Sequence, residues 1–188
     1  MTPLQTHVSF FDPEGTGVIT LGQTFRGLSR LGVSWALALI LTPIINGFLG
    51  YLTTGKPGFK VYIDRIAQGK HPFDTGVFDD EGNFDQAAFD ALFDGISGDA
   101  LTTVEMRKVI VGRGNRRPRM GALSAFLGNW FSDKEVRLLF CVASDTAKLE
   151  NGAKVPAMRK RTVQRFFEGT LLHDVARARA WSAGHVDH

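Results

Sequence analysis

Two histidines stand in settings suited to chemistry. His7 opens the segment His7-Val-Ser-Phe-Phe-Asp12, and His71 follows 64 residues later in Lys70-His-Pro-Phe-Asp74. Neutral imidazole is the commonest axial ligand of haem iron and an effective proton carrier near neutral pH. Without further context, two separated histidines more often describe satisfied core or surface side chains. His173, His185 and His188 are lesser candidates, the last two lying in a tail where chains fray.

A second constellation spans residues 12–23. A calcium loop of the EF-hand type takes ligands at positions 1, 3, 5, 7, 9 and 12, with Gly at position 6 for the sharp turn. Laid on Asp12, that frame gives Asp12, Glu14, Thr16, Gly17, the Val18 carbonyl, Thr20 and Gln23. The last position calls for a bidentate Glu, and a neutral Gln chelates weakly. The loop is therefore expected to keep its shape with weak or lost calcium affinity. A fainter copy runs from Asp94 to Glu105, but Ile96 and Gly98 at its third and fifth positions bring no side-chain oxygen. It reads as a structural partner, with Leu101 pairing to Ile19 at the eighth position of each loop.

Helices must carry these groups. Residues 1–11 read as the last turns of a helix, which implies a natural start further upstream. Periodicity resumes at Leu21, Phe25, Leu28 and Leu31. Phe84 to Phe93 predicts a helix with Phe84, Ala88, Phe89, Leu92 and Phe93 on one side. Thr102 with Glu105 forms a capping box for a helix to Val111. Further helices are expected from Ser132 or Asp133 to Val142, from Val155 to Phe167 and from Thr170 to Ala180. No alternating strand pattern is evident, so the expected class is mainly α, as one domain over residues 1–188.

Between Arg30 and Lys56 lie 25 residues without a charge. That length suffices to cross a bilayer, but Pro43, Asn46, Gly47 and Gly50 argue against one straight helix. A kinked helical hairpin dipping into one leaflet is one reading. A buried core helix, or pairing between two copies of the chain, is the other.

Composition narrows the rest. The chain has 188 residues, 44% of them hydrophobic, which excludes disorder and permits a core without cross-links. The single Cys141 excludes an internal disulfide and any zinc site built on cysteines. The first 20 residues lack a secretory signal. The net charge of +3 conceals segregation, with nine acidic and no basic residues over 74–105, then six basic and no acidic residues over 106–119. Five more basic residues lie between Lys154 and Arg165. These patches suit anionic headgroups or a solvated face; nothing resembling a base-stacking platform supports nucleic acid.

The order of these features resembles the caleosin family, haem-dependent peroxygenases of lipid droplets. The resemblance rests on His7-Val-Ser-Phe-Phe-Asp12, on Phe25-Arg-Gly-Leu before the apolar stretch, and on Tyr62-Ile-Asp-Arg-Ile-Ala-Gln-Gly-Lys-His71. Asp74-Thr-Gly-Val-Phe-Asp79, Asp99-Ala-Leu-Thr-Thr-Val-Glu105 and Phe167-Glu-Gly-Thr-Leu-Leu continue it. The resemblance implies that His7 and His71 bind haem b and serve catalysis, with Asp64 and Asp74 as candidate acids behind them. It implies oxygen transfer from a fatty acid hydroperoxide to an unsaturated lipid, on a lipid droplet or the cytosolic face of the endoplasmic reticulum. Under it the chain divides into an EF-hand-like segment (1–31), an apolar membrane-associating segment (32–55), and the second histidine block with a pseudo-EF-hand and C-terminal helices (56–188). Two departures stand out: Gln23 in place of a loop Glu, and only Pro43 and Pro57 where plant members carry a multi-proline knot. A non-enzymatic lipid-droplet coat that kept the fold without the cofactor is the competing expectation.

Overall fold

The computed structural model describes residues 1–69, 75–114, 133 and 136–184. It is mainly helical and divides into two compact units. One comprises Met1–Lys70, Asp80–Phe84 and Phe166–His188, the other His71–Asp79 and Asp85–Arg165.

In the first unit, α1 (Pro3–Ser9) begins on Thr2. The Thr2 hydroxyl accepts from the Gln5 N–H, the Gln5 side chain accepts from the Thr2 N–H, and Pro3 fills a position that needs no amide donor. The helix thus starts within the chain, where the sequence suggested the end of a longer one. A loop leads to β1 (Val18–Ile19) and α2 (Leu21–Arg30), which Thr20 and Gln23 cap in the same reciprocal way. After α3 (Trp35–Thr54) come β2 (Val61–Tyr62) and a 3-10 turn over Ile63–Gly69. Strands β1 and β2 are antiparallel, Ile19 facing Val61. Ile19, Val61, Ile63 and Ile66 form a core against Leu4, Val8, Phe11 and Leu49.

The expected hairpin is absent: α3 runs unbroken for 20 residues through Pro43. Proline deprives the helix of one donor, and one lost bond does not end a helix that is anchored elsewhere. Asn46 supplies that anchor, donating to the carbonyls of Ile19 (3.3 Å) and Phe59 (2.9 Å). Gly50 lets the returning chain touch the helix backbone, since a β-carbon there would lie 2.7 Å from the Gly58 carbonyl oxygen. The buried stripe of α3 is Ala38, Thr42, Asn46, Gly50 and Thr53, small or polar residues. Several of its large apolar side chains face outward, with Trp35 72%, Ile40 61% and Leu39 58% exposed. This polarity is inverted relative to a helix folded for water.

In the second unit, α4 (Gln86–Asp90), capped by Asp85, tightens into a 3-10 turn (Ala91–Phe93). Then come β3 (Ala100–Thr102), α5 (Thr103–Gly114), α6 (residues 136–143), β4 (Thr146–Glu150), β5 (Ala153–Arg159) and α7 (Lys160–Phe167). The capping box at Thr102 and Glu105 is formed as the sequence predicts. The sheet order is β3-β5-β4, antiparallel throughout. Residues 153–159 are thus a strand where a helix was expected from Val155. The Asn151-Gly152 turn, with φ of 50° and 81°, folds β5 back on β4. Where pairing of Ile19 with Leu101 was expected, Ile19 faces Val61 within the first unit and Leu101 faces Met158 within the second. Returning to the first unit, the C-terminal α8 spans Leu171–Gly184.

Candidate functional site

His7 sits in the last turn of α1, its ring edge-on to Phe166 with centroids 4.4 Å apart. Its Nδ1 lies 3.0 Å from the Phe166 carbonyl oxygen. A carbonyl only accepts, so Nδ1 carries the proton and Nε2 keeps its lone pair. Burial pushes the imidazole down to about 4, against the raising effect of the Phe166 carbonyl and aided by the positive field of His173. The ring is therefore neutral at pH 7. A neutral imidazole fixed through one nitrogen by the main chain is the donor arrangement that iron takes through the other.

Just beyond the Phe166 carbonyl, at the end of α7, the chain turns at Gly169. It has φ +85°, and a β-carbon on it would stand 2.7 Å from the His7 main-chain nitrogen. His173, on α8, packs edge-on to Phe10 at 5.2 Å. Burial lowers its pKa, and Arg30 and Arg177 lower it further. The Arg30 guanidinium in turn lies 4.9 Å from the Phe10 ring centre. His173, a lesser candidate by sequence, is thus close enough to influence His7 electrostatically. The C-terminal Phe167-Glu-Gly-Thr-Leu-Leu block was the available signal for this neighbourhood, although its tie to His7 through a backbone carbonyl could not be read from side chains.

His71 and Asp74 lie outside the described residues, as do His185 and His188. Asp64 is exposed and pairs with Arg65 at 3.8 Å; the partner of the His7 ring is the Phe166 carbonyl.

The loop after α1 is closed by the chain's own donors. Asp12, 5% exposed, accepts from the Gly17 N–H (2.7 Å), the Thr16 hydroxyl (3.0 Å) and the Gln23 amide nitrogen (3.1 Å). The Gln23 amide oxygen is occupied at Thr20, accepting from its N–H at 2.8 Å and its hydroxyl at 2.9 Å. Glu14 pairs with Arg26 at 3.7 Å. A cavity of about 280 Å³ beside the loop is lined by Glu14, Thr16, Val18, Arg26 and Lys60, among others. Calcium requires 6–8 oxygens and net negative charge. Here a nitrogen faces Asp12, and two cations border the cavity. Asp12, Glu14, Thr16, Val18 and Gln23 as arranged do not fit a calcium ion. Among the described residues no group of three or more His, Cys, Asp or Glu side chains is placed to hold a metal.

The family profile described as "Caleosin related protein" matches residues 1–176. The chain belongs to the caleosin family. Among curated relatives of this caleosin is "Probable peroxygenase 4" of Arabidopsis thaliana, 27% identical over 184 residues, covering 94% of this chain and 87% of that protein. "Peroxygenase" of Lilium longiflorum is 29% identical over 192 residues, covering 96% and 72% respectively. Those names support an oxidoreductase role at the level of the family. No solved structure matches the chain.

Proposed function

We propose that this caleosin is a haem-dependent peroxygenase acting at a lipid surface. The observation that carries the reading is the neutral His7 ring, with Nδ1 tied to the Phe166 carbonyl and Nε2 left for iron. Haem b, when bound, supplies the iron that cleaves the O–O bond of a fatty acid hydroperoxide and delivers one oxygen atom to an unsaturated lipid. The Nδ1 hydrogen bond orients the imidazole and raises its donor strength. His71 is proposed as the second haem histidine on the family resemblance alone.

The outward apolar row of α3, with Trp35 at one end and Tyr51 toward the other, supports docking on a lipid droplet or on the cytosolic face of the endoplasmic reticulum. By length and composition α3 is a helix able to cross a bilayer. Its inward polar stripe leaves the first unit folded against one side and lipid on the other, which brings a membrane-borne hydroperoxide to the chain.

A coat or anchor without cofactor is the second reading, favoured by the same helix and by a loop that does not fit calcium. Absorption spectroscopy separates the two. The enzyme reading expects a Soret band in purified protein, lost in His7→Val with helicity by circular dichroism unchanged. Protein that takes up no haem would leave the coat reading.

A further inference from the structure

The Lys148 ammonium meets the C-terminal part of the segment 94–105 in the second unit. From Nζ it donates to the Ala100 carbonyl (3.0 Å) and to both carboxylate oxygens of Glu105 (2.7 and 2.9 Å). Counted from Asp94, Ala100 stands at position 7 and Glu105 at position 12. In a calcium loop, position 7 gives its main-chain carbonyl and position 12 a bidentate carboxylate to the ion. An ammonium has three protons, and these three oxygens accept them.

We infer that residues 94–105 form a cation site whose permanent occupant is the chain's own Lys148. The charge agrees with that occupant. Ile96 and Gly98 bring no side-chain ligand at positions 3 and 5, and the carboxylate that meets the ammonium is that of Glu105.

The sheet explains how Lys148 reaches the loop. Within β4 the inner face carries Thr146, Lys148 and Glu150, opposite Ala157, Val155 and Ala153 of the central strand β5. These short side chains leave room above β5 for Lys148 to extend to β3 and the start of α5. Glu150 makes the same crossing, accepting from the Thr102 hydroxyl at 2.6 Å. Lys148 and Glu105 are only 19% and 21% exposed, so solvent screens the pair weakly. Partial burial raises the Glu105 pKa, but the bonds from Lys148 and the Thr102 N–H outweigh it and hold the carboxyl below its ordinary value.

A loop filled in this way is independent of cellular calcium. An ordinary ion pair and a tethered cation part company once the lysine is removed, because only a cation site accepts a replacement ion. The test compares the full-length protein with Lys148→Ala and Lys148→Ala/Glu105→Gln by thermal unfolding in about 10 mM calcium or magnesium. Expected is a melting temperature lowered by about 3–8 °C in Lys148→Ala. Calcium should raise it again by more than it raises the wild type, and Glu105→Gln should abolish that extra response. Should Lys148→Ala not fold alone, refolding with calcium replaces the scan, and calcium-dependent recovery of near-ultraviolet circular dichroism supports the assignment. Equal calcium responses in wild type and Lys148→Ala, or no recovery on refolding, would overturn it.

Discussion

A β-carbon on Gly169 would stand 2.7 Å from the main-chain nitrogen of His7. The turn after α7 therefore touches the backbone of α1 directly, and the last turn of α7 just before it presents the Phe166 carbonyl to the His7 ring. Gly169→Ala meets both a backbone clash and a left-handed φ of +85°. It is expected to destabilise the protein by about 1–3 kcal/mol and to weaken haem retention together with it. Denaturant unfolding and the ratio of haem to protein absorbance measure the two effects. Unchanged values for both would remove Gly169 from the support of His7.

The buried imidazole also predicts how stability follows pH. His7 has an ordinary pKa of 6.5 and a folded value of about 4, so the unfolded chain takes up its proton first. The stabilisation is complete above pH 6.5 and is lost as pH falls toward 4. The full shift corresponds to up to about 3 kcal/mol. His7→Gln keeps an N–H for the Phe166 carbonyl without a titrating group, and should flatten the profile between pH 7 and 4.5. Urea titrations at several pH values check this; parallel profiles for the two proteins would contradict it.

In the first loop, Gln23→Glu places a carboxylate against Asp12, where an amide nitrogen now donates at 3.1 Å. Without metal, that repulsion should lower stability. With calcium, the new bidentate ligand should tighten binding at least about tenfold over the parent loop. Calorimetry supplies both affinities. Micromolar calcium binding by the unmodified protein would show that Asp12 and Gln23 rearrange.

Docking on lipid is tested at Leu39 and Ile40, 58% and 61% exposed on α3. Neither supports the interior, so Leu39→Lys/Ile40→Lys should fold normally and retain haem. Each lysine costs about 2.5–3.5 kcal/mol in an apolar layer, so flotation with phospholipid vesicles should be lost. Flotation that survives both charges would transfer lipid binding to the basic stretches.

The cap at Thr102 was legible in the sequence, since Thr102 and Glu105 advertise their bonds by type and spacing. The β4–β5 hairpin was also written, in the Asn151-Gly152 turn, but a charge-rich run at helical spacing masked it. The persistence of α3 through Pro43 was not legible, because it depends on Asn46 reaching two distant carbonyls. At the site, His7 stood out by its place in His7-Val-Ser-Phe-Phe-Asp12, while its partner stayed hidden. Any residue can offer a carbonyl, so Phe166 carried no signature of its role.

The bond between His7 and the Phe166 carbonyl also sets an order of events during synthesis. The imidazole leaves the ribosome well before its anchor, which is 159 residues behind it. Until that anchor emerges, the histidine is an ordinary solvated base with its usual proton affinity. A nascent chain stalled before Phe166 would carry the histidine without the carbonyl that fixes its ring.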